Sequence, residues 1–349
     1  MIHVAVTPHP AGAVYRIAAA GGIAVTVASA GATLMRIDAP DRHGRSGNVI
    51  LGLDDIAAYP AAGGPGGDAC MGGTCGRFAN RIAGARFDLD GRTVRLAPNE
   101  GPNQLHGGPD GFHRRRWQGR VLADGVRLTL ESADGDQGWP GRLTVAADFR
   151  LIDAETLAIS YRARTDRPTH VNIVSHPYFN LDGAGDILGH RLSIAADTYL
   201  PIDAAALPAG PPRAVAGTPF DFRGPRAVGD AIDADDEQLR HGAGYNHCYL
   251  PAGTGLRPVA HLASTASGRT MTLSTDQPGL QFYSGNALSA AAGGFPDRAG
   301  FCLEAQAWPD APNRPDAPST RLDPGETYRS ELRLRFGADG AVAVGRPAA

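Results

Sequence analysis

Two short strings carry the residue types that proton transfer needs. Ser175-His176-Pro177-Tyr178-Phe179-Asn180-Leu181 offers an imidazole and Phe301-Cys302-Leu303-Glu304-Ala305-Gln306 a carboxylate, each inside an apolar and aromatic frame. Side chains alternate along a strand, so Cys302 and Glu304 are expected on one face and Phe301 and Leu303 on the other. An imidazole and a carboxylate facing one another across a pocket make a general acid and a general base. An ionised carboxylate in an apolar stretch is expensive unless it is paired or used, which favours a working role for Glu304.

A second group of residues suits the holding of hydroxyl groups. Asn80 and Arg81, in Gly76-Arg77-Phe78-Ala79-Asn80-Arg81-Ile82, supply an amide and a fixed guanidinium fork. His106 stands before two glycines that let backbone and ligand approach closely. Tyr178 provides an aromatic wall, Gln281 a polar group on a strand face, and Asn246 an amide beside the imidazole of His247. Locally each has a structural alternative: a salt bridge for Arg81, a loop position for His106, a buried hydrogen-bonded core position for His176.

The elements that must position these groups read as strands. Residues 85–89 and 93–96 flank Asp90-Gly91, the dipeptide a type I′ hairpin favours because both central residues need positive φ. Alternation recurs in 126–130, 143–145, 156–161 and 331–336. No stretch of a dozen residues has a 3.6-residue period, and the Ala-rich piece 287–293 has room for a turn or two of helix. Gly 46 and Pro 27 are spread along the 349 residues, as expected of many turns joining short strands. The longest irregular stretches are 61–76, 133–141, 201–229 and 308–318, and no composition break marks a linker. The expectation is one large antiparallel all-β domain spanning 1–349.

Composition also excludes. The formal net charge of −3 argues against a nucleic-acid or anionic-membrane partner, and the only basic run, Arg114-Arg115-Arg116, reads as a solvated turn. All 33 basic residues are arginine, which rules out lysine Schiff-base, P-loop-lysine and pyridoxal-lysine chemistry. Cys70, Cys75, Cys248 and Cys302 make no disulfide framework, and the Cys70–Cys75 spacing is a weak zinc signal. No His-Glu-x-x-His, Walker A or Gly-x-Ser-x-Gly motif occurs, so no metal and no nucleotide cofactor is expected. The N-terminus lacks a basic region followed by an apolar one, and no 18-residue apolar run occurs, so a soluble cytoplasmic protein, monomer or homodimer, is expected.

Taken together the motifs resemble the aldose 1-epimerase, or galactose mutarotase, family. The resemblance runs from about Gly31 to Phe336. Its most specific parts are Gly76–Ile82, Gly101-Pro102-Asn103-Gln104-Leu105-His106-Gly107-Gly108, His176–Leu181, Pro278-Gly279-Leu280-Gln281-Phe282-Tyr283-Ser284-Gly285-Asn286 and Leu303–Gln306, in consistent order. It implies a large antiparallel β-supersandwich, a site without metal, and a free aldose as substrate. It also implies Glu304 as general base, His176 as general acid, and His106, Asn80, Arg81, Tyr178, Asn246 and Gln281 as the residues holding the sugar. In that mechanism the base takes the anomeric proton, the acid protonates the ring oxygen, the C1–O5 bond opens, and the aldehyde rotates before reclosing.

Three positions depart from the family pattern. Asn246 stands where the family has Asp, Pro177 follows the histidine where Ser is common, and Ala305 and Ala307 replace Thr and His around the carboxylate string. Acid and base are both retained, so the departures bear on the choice of sugar. Three rival readings make distinct demands. A non-catalytic sugar-binding module would lack Glu304 or His176. A sugar-phosphate epimerase would need an arginine cluster at the pocket mouth, for which Arg114–Arg116 are the candidates. A glycosidase would need a second acid beside Glu304, such as Asp221, Asp276 or Asp297.

Overall fold

In a computed structural model the structure describes residues 1–62, 69–291 and 294–338. Of the irregular stretch 61–76, residues 63–68 lie outside the described residues, as do 292 and 293 at the end of the Ala-rich piece. Three antiparallel sheets hold most of the strand residues among those described. The largest has nine strands in the order Gln118–Leu122, Gly125–Ser132, Leu143–Leu151, Thr156–Thr165, Tyr328–Ala338, Arg269–Thr275, Arg257–Ala263, Arg191–Ile194 and Arg226–Ala227. A five-stranded N-terminal meander runs from Ile2–His9 to Ser46–Asn48. A second five-stranded sheet, ordered Arg213–Ala214, Thr198–Tyr199, Asn246–Tyr249, Gly279–Tyr283 and Cys302–Gln306, carries Glu304, Gln281 and Asn246.

Period-two patterning sets these strands. In Tyr328–Ala338, Leu332, Leu334 and Phe336 are buried while Glu331, Arg333 and Arg335 point outward. One apolar cluster joins the sheets, with Val25 and Ile37 from the meander, Phe149, Ile159 and Leu334 from the large sheet, and Leu280, Phe282 and Leu303 from the site sheet. Truncating one such residue, Leu334→Ala for instance, costs about 2–5 kcal/mol, because the surrounding sheets cannot collapse onto the hole. The hairpin expected around Asp90-Gly91 pairs Arg86–Leu89 with Arg92–Arg95, with φ of 51° and 74° at the two turn residues. Helix is confined to short pieces such as Glu237–Gly242 and Leu288–Ala291, and no helix of the described residues is long and apolar enough to cross a membrane.

Candidate active site

The two strings that carry the acid and the base are joined by backbone. Phe179 and Phe301 form an antiparallel bridge, with N–H to O distances of 2.7 and 3.1 Å in the two directions. Each bridging residue lies three positions from its proton-transfer group, so His176 and Glu304 emerge on facing walls of one hollow. The His176 backbone is fixed further by its N–H donating to Gly73 O at 3.0 Å and its carbonyl accepting from Gly72 N–H at 2.9 Å. Alternation along Cys302–Gln306 runs as the sequence predicts. Cys302 and Glu304 both face His176, while Phe301 and Leu303 enter the core.

His176 Nε2 lies 3.5 Å from Glu304 Oε1, and both side chains are almost fully buried. The second carboxylate oxygen, Glu304 Oε2, is buried with no hydrogen-bond partner. Burial pushes the Glu304 carboxyl above the ordinary range, with attraction from His176 pulling the other way. On the far side of the imidazole, Nδ1 meets Cys302 Sγ at 3.4 Å. With Nε2 as the delivering atom, Nδ1 carries its proton in both states that an acid must visit and donates it to the sulfur throughout.

The holding residues converge on the same hollow. Asn80, Arg81, His106, His176, Tyr178, Asn246, Gln281 and Glu304 all line one cavity of about 350 Å³. Gln281 lies directly across from Glu304 in the sheet and donates from Nε2 to Asn246 Oδ1 at 2.8 Å, while its own Oε1 is buried and unpartnered. Arg81 is held by a bidentate pair with Glu100, Nε to Oε2 at 2.7 Å and Nη2 to Oε1 at 2.6 Å. The structural salt bridge and the pocket position are therefore one arrangement, in which Glu100 aims the guanidinium. Asn80 N–H donates to His106 Nδ1 at 3.2 Å, which leaves the ring's proton on Nε2. Burial drives the His106 pKa down to about 3, so its ring is a neutral hydrogen-bonding group beside the acid. The Tyr178 hydroxyl donates to Ala69 O at 3.1 Å, and the ring packs 5.2 Å from His176 as a wall.

The surrounding chain shows how these positions are fixed. Gly107 follows His106 at φ +91°, and a Cβ there would stand 1.9 Å from Gly76 O. The glycine is thus required by the approach of two backbone segments, whereas the sequence suggested room for ligand. Helix Glu237–Gly242 is capped by Asp236 and ends at Ala243 in the left-handed region, which brings Gly242 and Ala243 to the rim before Asn246 enters its strand.

Several candidates fall elsewhere. His247 is wholly buried against Tyr199 and Phe220, its pKa lowered to about 3 by burial, and serves the core. The arginine run divides. Arg115 pairs with Asp110 and Asp136, Arg116 lines a groove on the large sheet, and Arg114 borders a hollow beside His106. Asp221, Asp276 and Asp297 are absent from the lining, where Glu100 is the second carboxylate among the described residues. Sequence reasoning missed Glu100, Cys70, Tyr283 and Asn286, which also line the cavity. Glu100 sits in the turn Asn99–Asn103, whose lone carboxylate was the available signal. Two overlapping sets of ligand-type atoms occur, His106 with His176 and Glu304, and His106 with Cys70 and Cys75, each within 4.8 Å of one another.

Comparison with known proteins agrees with this geometry. The family profile described as aldose 1-epimerase matches residues 13–335. The aldose 1-epimerase of Escherichia coli K12 is 41% identical over 332 residues, covering 91% of this chain and 93% of that protein. The galactose mutarotase of Bos taurus is 40% identical over 320 residues, covering 89% of this chain and 90% of that protein. Among solved structures, galactose 1-epimerase from Lactobacillus acidophilus superposes with a TM-score of 0.86 at 28% identity, covering 97% of this chain and all of that one. An aldose epimerase homologue from C. elegans gives 0.83 at 27% identity, covering 92% of this chain and 97% of that one. With the β-sandwich architecture, the facing imidazole and carboxylate, and these matches along nearly its whole length, the chain belongs to the aldose 1-epimerase family.

Proposed function

We propose that this pocket interconverts the α and β anomers of a free aldose, with Glu304 as general base and His176 as general acid. The observation that carries the assignment of roles is the unpartnered, buried Oε2 of Glu304 opposite His176. Oε2 takes the anomeric hydroxyl proton while His176 Nε2 delivers one to the ring oxygen, and the C1–O5 bond opens. Rotation about C1–C2 presents the other aldehyde face. The same two groups then run in reverse, each returning to its starting protonation state. No electrons leave the sugar, so an acid, a base and a holding shell suffice, each proton-transfer group contributing about 10²–10⁴-fold.

Arg81, His106 and the Gln281–Asn246 pair offer donors and acceptors to the hydroxyls, and the Tyr178 ring offers a flat apolar wall. A cavity of about 350 Å³ lies at the small end of ligand pockets, which suits one sugar ring. Polarimetry on freshly dissolved α-D-galactose, α-D-glucose, D-xylose and L-arabinose tests the reading. Wild type is expected to speed equilibration of at least one of them, and His176→Asn to slow it by about 10²–10⁴-fold. Buffer-level rates on all four sugars overturn it.

A further inference from the structure

Cys70 and Cys75, which stand with His106 in one set of ligand-type atoms, are not used by the reaction above. Cys70 and Cys75 stand at the two ends of one short turn and His106 comes from another segment, each held by its own backbone bonds. Cys70 accepts from Gly73 N–H at 2.9 Å, Cys75 lies in the ladder with Val174–Ser175, and His106 N–H donates to Asn80 O at 3.1 Å. Their ligand-type atoms lie within 4.8 Å of one another. The His113 ring lies against the Cys70 thiol, and its buried Nδ1 has no hydrogen-bond partner. Cys70 and His106 both line the sugar cavity, which gives an ion a route in.

We propose that Cys70, Cys75 and His106 form a binding site for Zn²⁺ or a similar thiolate-seeking divalent ion, and that its occupation switches the enzyme off. A tetrahedral zinc with bonds of ~2.3 Å to sulfur and ~2.0 Å to nitrogen places its ligand atoms roughly 3.5–3.8 Å apart, so the three need close by about 1.3 Å at most. Two thiolates and an imidazole select zinc over magnesium or calcium. Binding exchanges one Zn²⁺ for two thiol protons released to solvent, with no change of oxidation state. The fourth position faces the cavity and takes a water.

Inhibition follows from the imidazole, and this part rests on His106 holding the sugar. A neutral imidazole has one lone pair, which at present accepts the Asn80 N–H. A metal takes that lone pair, or takes Nε2 after the proton has moved to Nδ1. Either way the Asn80 bond is lost: in the first case the ring must turn from Asn80 to meet the ion, which carries its Nε2 proton off its present line, and in the second Nε2 has no proton left to offer.

The test uses chelator-treated enzyme titrated with ZnCl₂ while mutarotation is followed, and with CoCl₂ while the thiolate-to-cobalt charge-transfer band is followed. One ion per chain is expected, with activity falling in step with occupancy and returning on chelation. Cys75→Ser, outside the cavity lining, should keep metal-free activity and lose at least about tenfold in metal affinity, the lower bound even for supporting residues of metal sites. Cys70→Ser, judged on the cobalt band alone, serves if that variant does not fold. Glu304→Gln should keep the band. The proposal is overturned by absence of the band in wild type or by its survival in the cysteine variants. Its loss in Glu304→Gln overturns it too, because the ion would then belong to His106, His176 and Glu304. Failure of the metal-free enzyme to mutarotate would sink the catalytic reading instead, and the cobalt band still decides the site.

Discussion

Glu304→Gln should move activity and stability in opposite directions. The substitution keeps the shape of a side chain that is 2% exposed and removes the charge whose Oε2 has no partner. Loss of the general base should lower kcat by about 10²–10⁴-fold. Stability should rise, because burial raises the Glu304 pKa. The folded state then holds that proton more tightly than the unfolded chain does. Stability is lost as pH climbs from the unfolded value of ~4.3 through the higher folded value, and the loss is complete above it. Removing such a charge from an active site is worth roughly 1–2 kcal/mol. At about 2.1 cal/mol/K per residue, 349 residues give an unfolding entropy of ~0.7 kcal/mol/K, so the variant should melt roughly 1–3 °C higher at neutral pH. Calorimetry across pH checks this, and the gap should close below pH ~4, where both carboxyl states are protonated. In the wild type the acid limb of kcat/KM should lie above the ordinary glutamate range. A variant that melts several degrees lower would make Glu304 a structural residue, and one with unchanged kcat would place the base elsewhere.

The holding shell can be probed separately. Asn246→Asp turns the bond from Gln281 Nε2 into a charge-assisted one and adds a stronger acceptor for sugar hydroxyls. KM should therefore shift by about 1 kcal/mol, roughly fivefold, and unequally among the four sugars, while kcat pH dependence stays put. Equal KM values on every sugar would mean that the position does not touch substrate. Glu100→Gln removes the charge that aims Arg81, so KM should rise by about 5–30-fold with little change in kcat, read from initial polarimetric rates. A drop in kcat alone would instead tie Arg81 to the transition state. Gly107→Ala places a methyl 1.9 Å from Gly76 O at φ +91°, and a loss of about 2 kcal/mol or more should appear as a lower midpoint in urea. An unchanged midpoint would show that the two segments separate freely.

Much of the fold was legible because strand signals are local. Alternation in 331–336 and the Asp90-Gly91 turn need only neighbours in sequence to be read. Motif order brought together residues that the fold also brings together, since His176, Glu304, Asn80, Arg81, His106, Tyr178, Asn246 and Gln281 line one cavity. What stayed hidden depends on long-range placement. Glu100 matters only because the turn before Gln104–Leu105 meets the start of Arg81–Ile82 across a two-residue ladder. Tyr178 packs its ring beside His176 as the expected aromatic wall, but that its hydroxyl donates to the carbonyl of Ala69 is something no spacing rule reveals. His247, adjacent to a holding residue, points the other way into the aromatic core because neighbours on a strand face opposite sides.

This division also says where the family reaction is fixed and where it is free to vary. The acid and base are tied through the Phe179–Phe301 bridge, with Cys302 locked behind the imidazole, so neither side chain shifts without moving backbone that the core has packed. Other polar groups of the cavity are positioned by side-chain pairs instead, Arg81 by Glu100 and Gln281 with Asn246, each breakable by a single substitution that leaves the sheets intact. The backbone-bound pair can therefore keep its geometry while Asn246 replaces the usual Asp, and selection among aldoses should follow the side-chain pairs. The Cys70–Cys75–His106 set lies at the junction of the two regimes, because His106 lines the cavity yet takes its orientation from the backbone of Asn80. A ligand that captures that imidazole changes binding without touching Glu304 or His176.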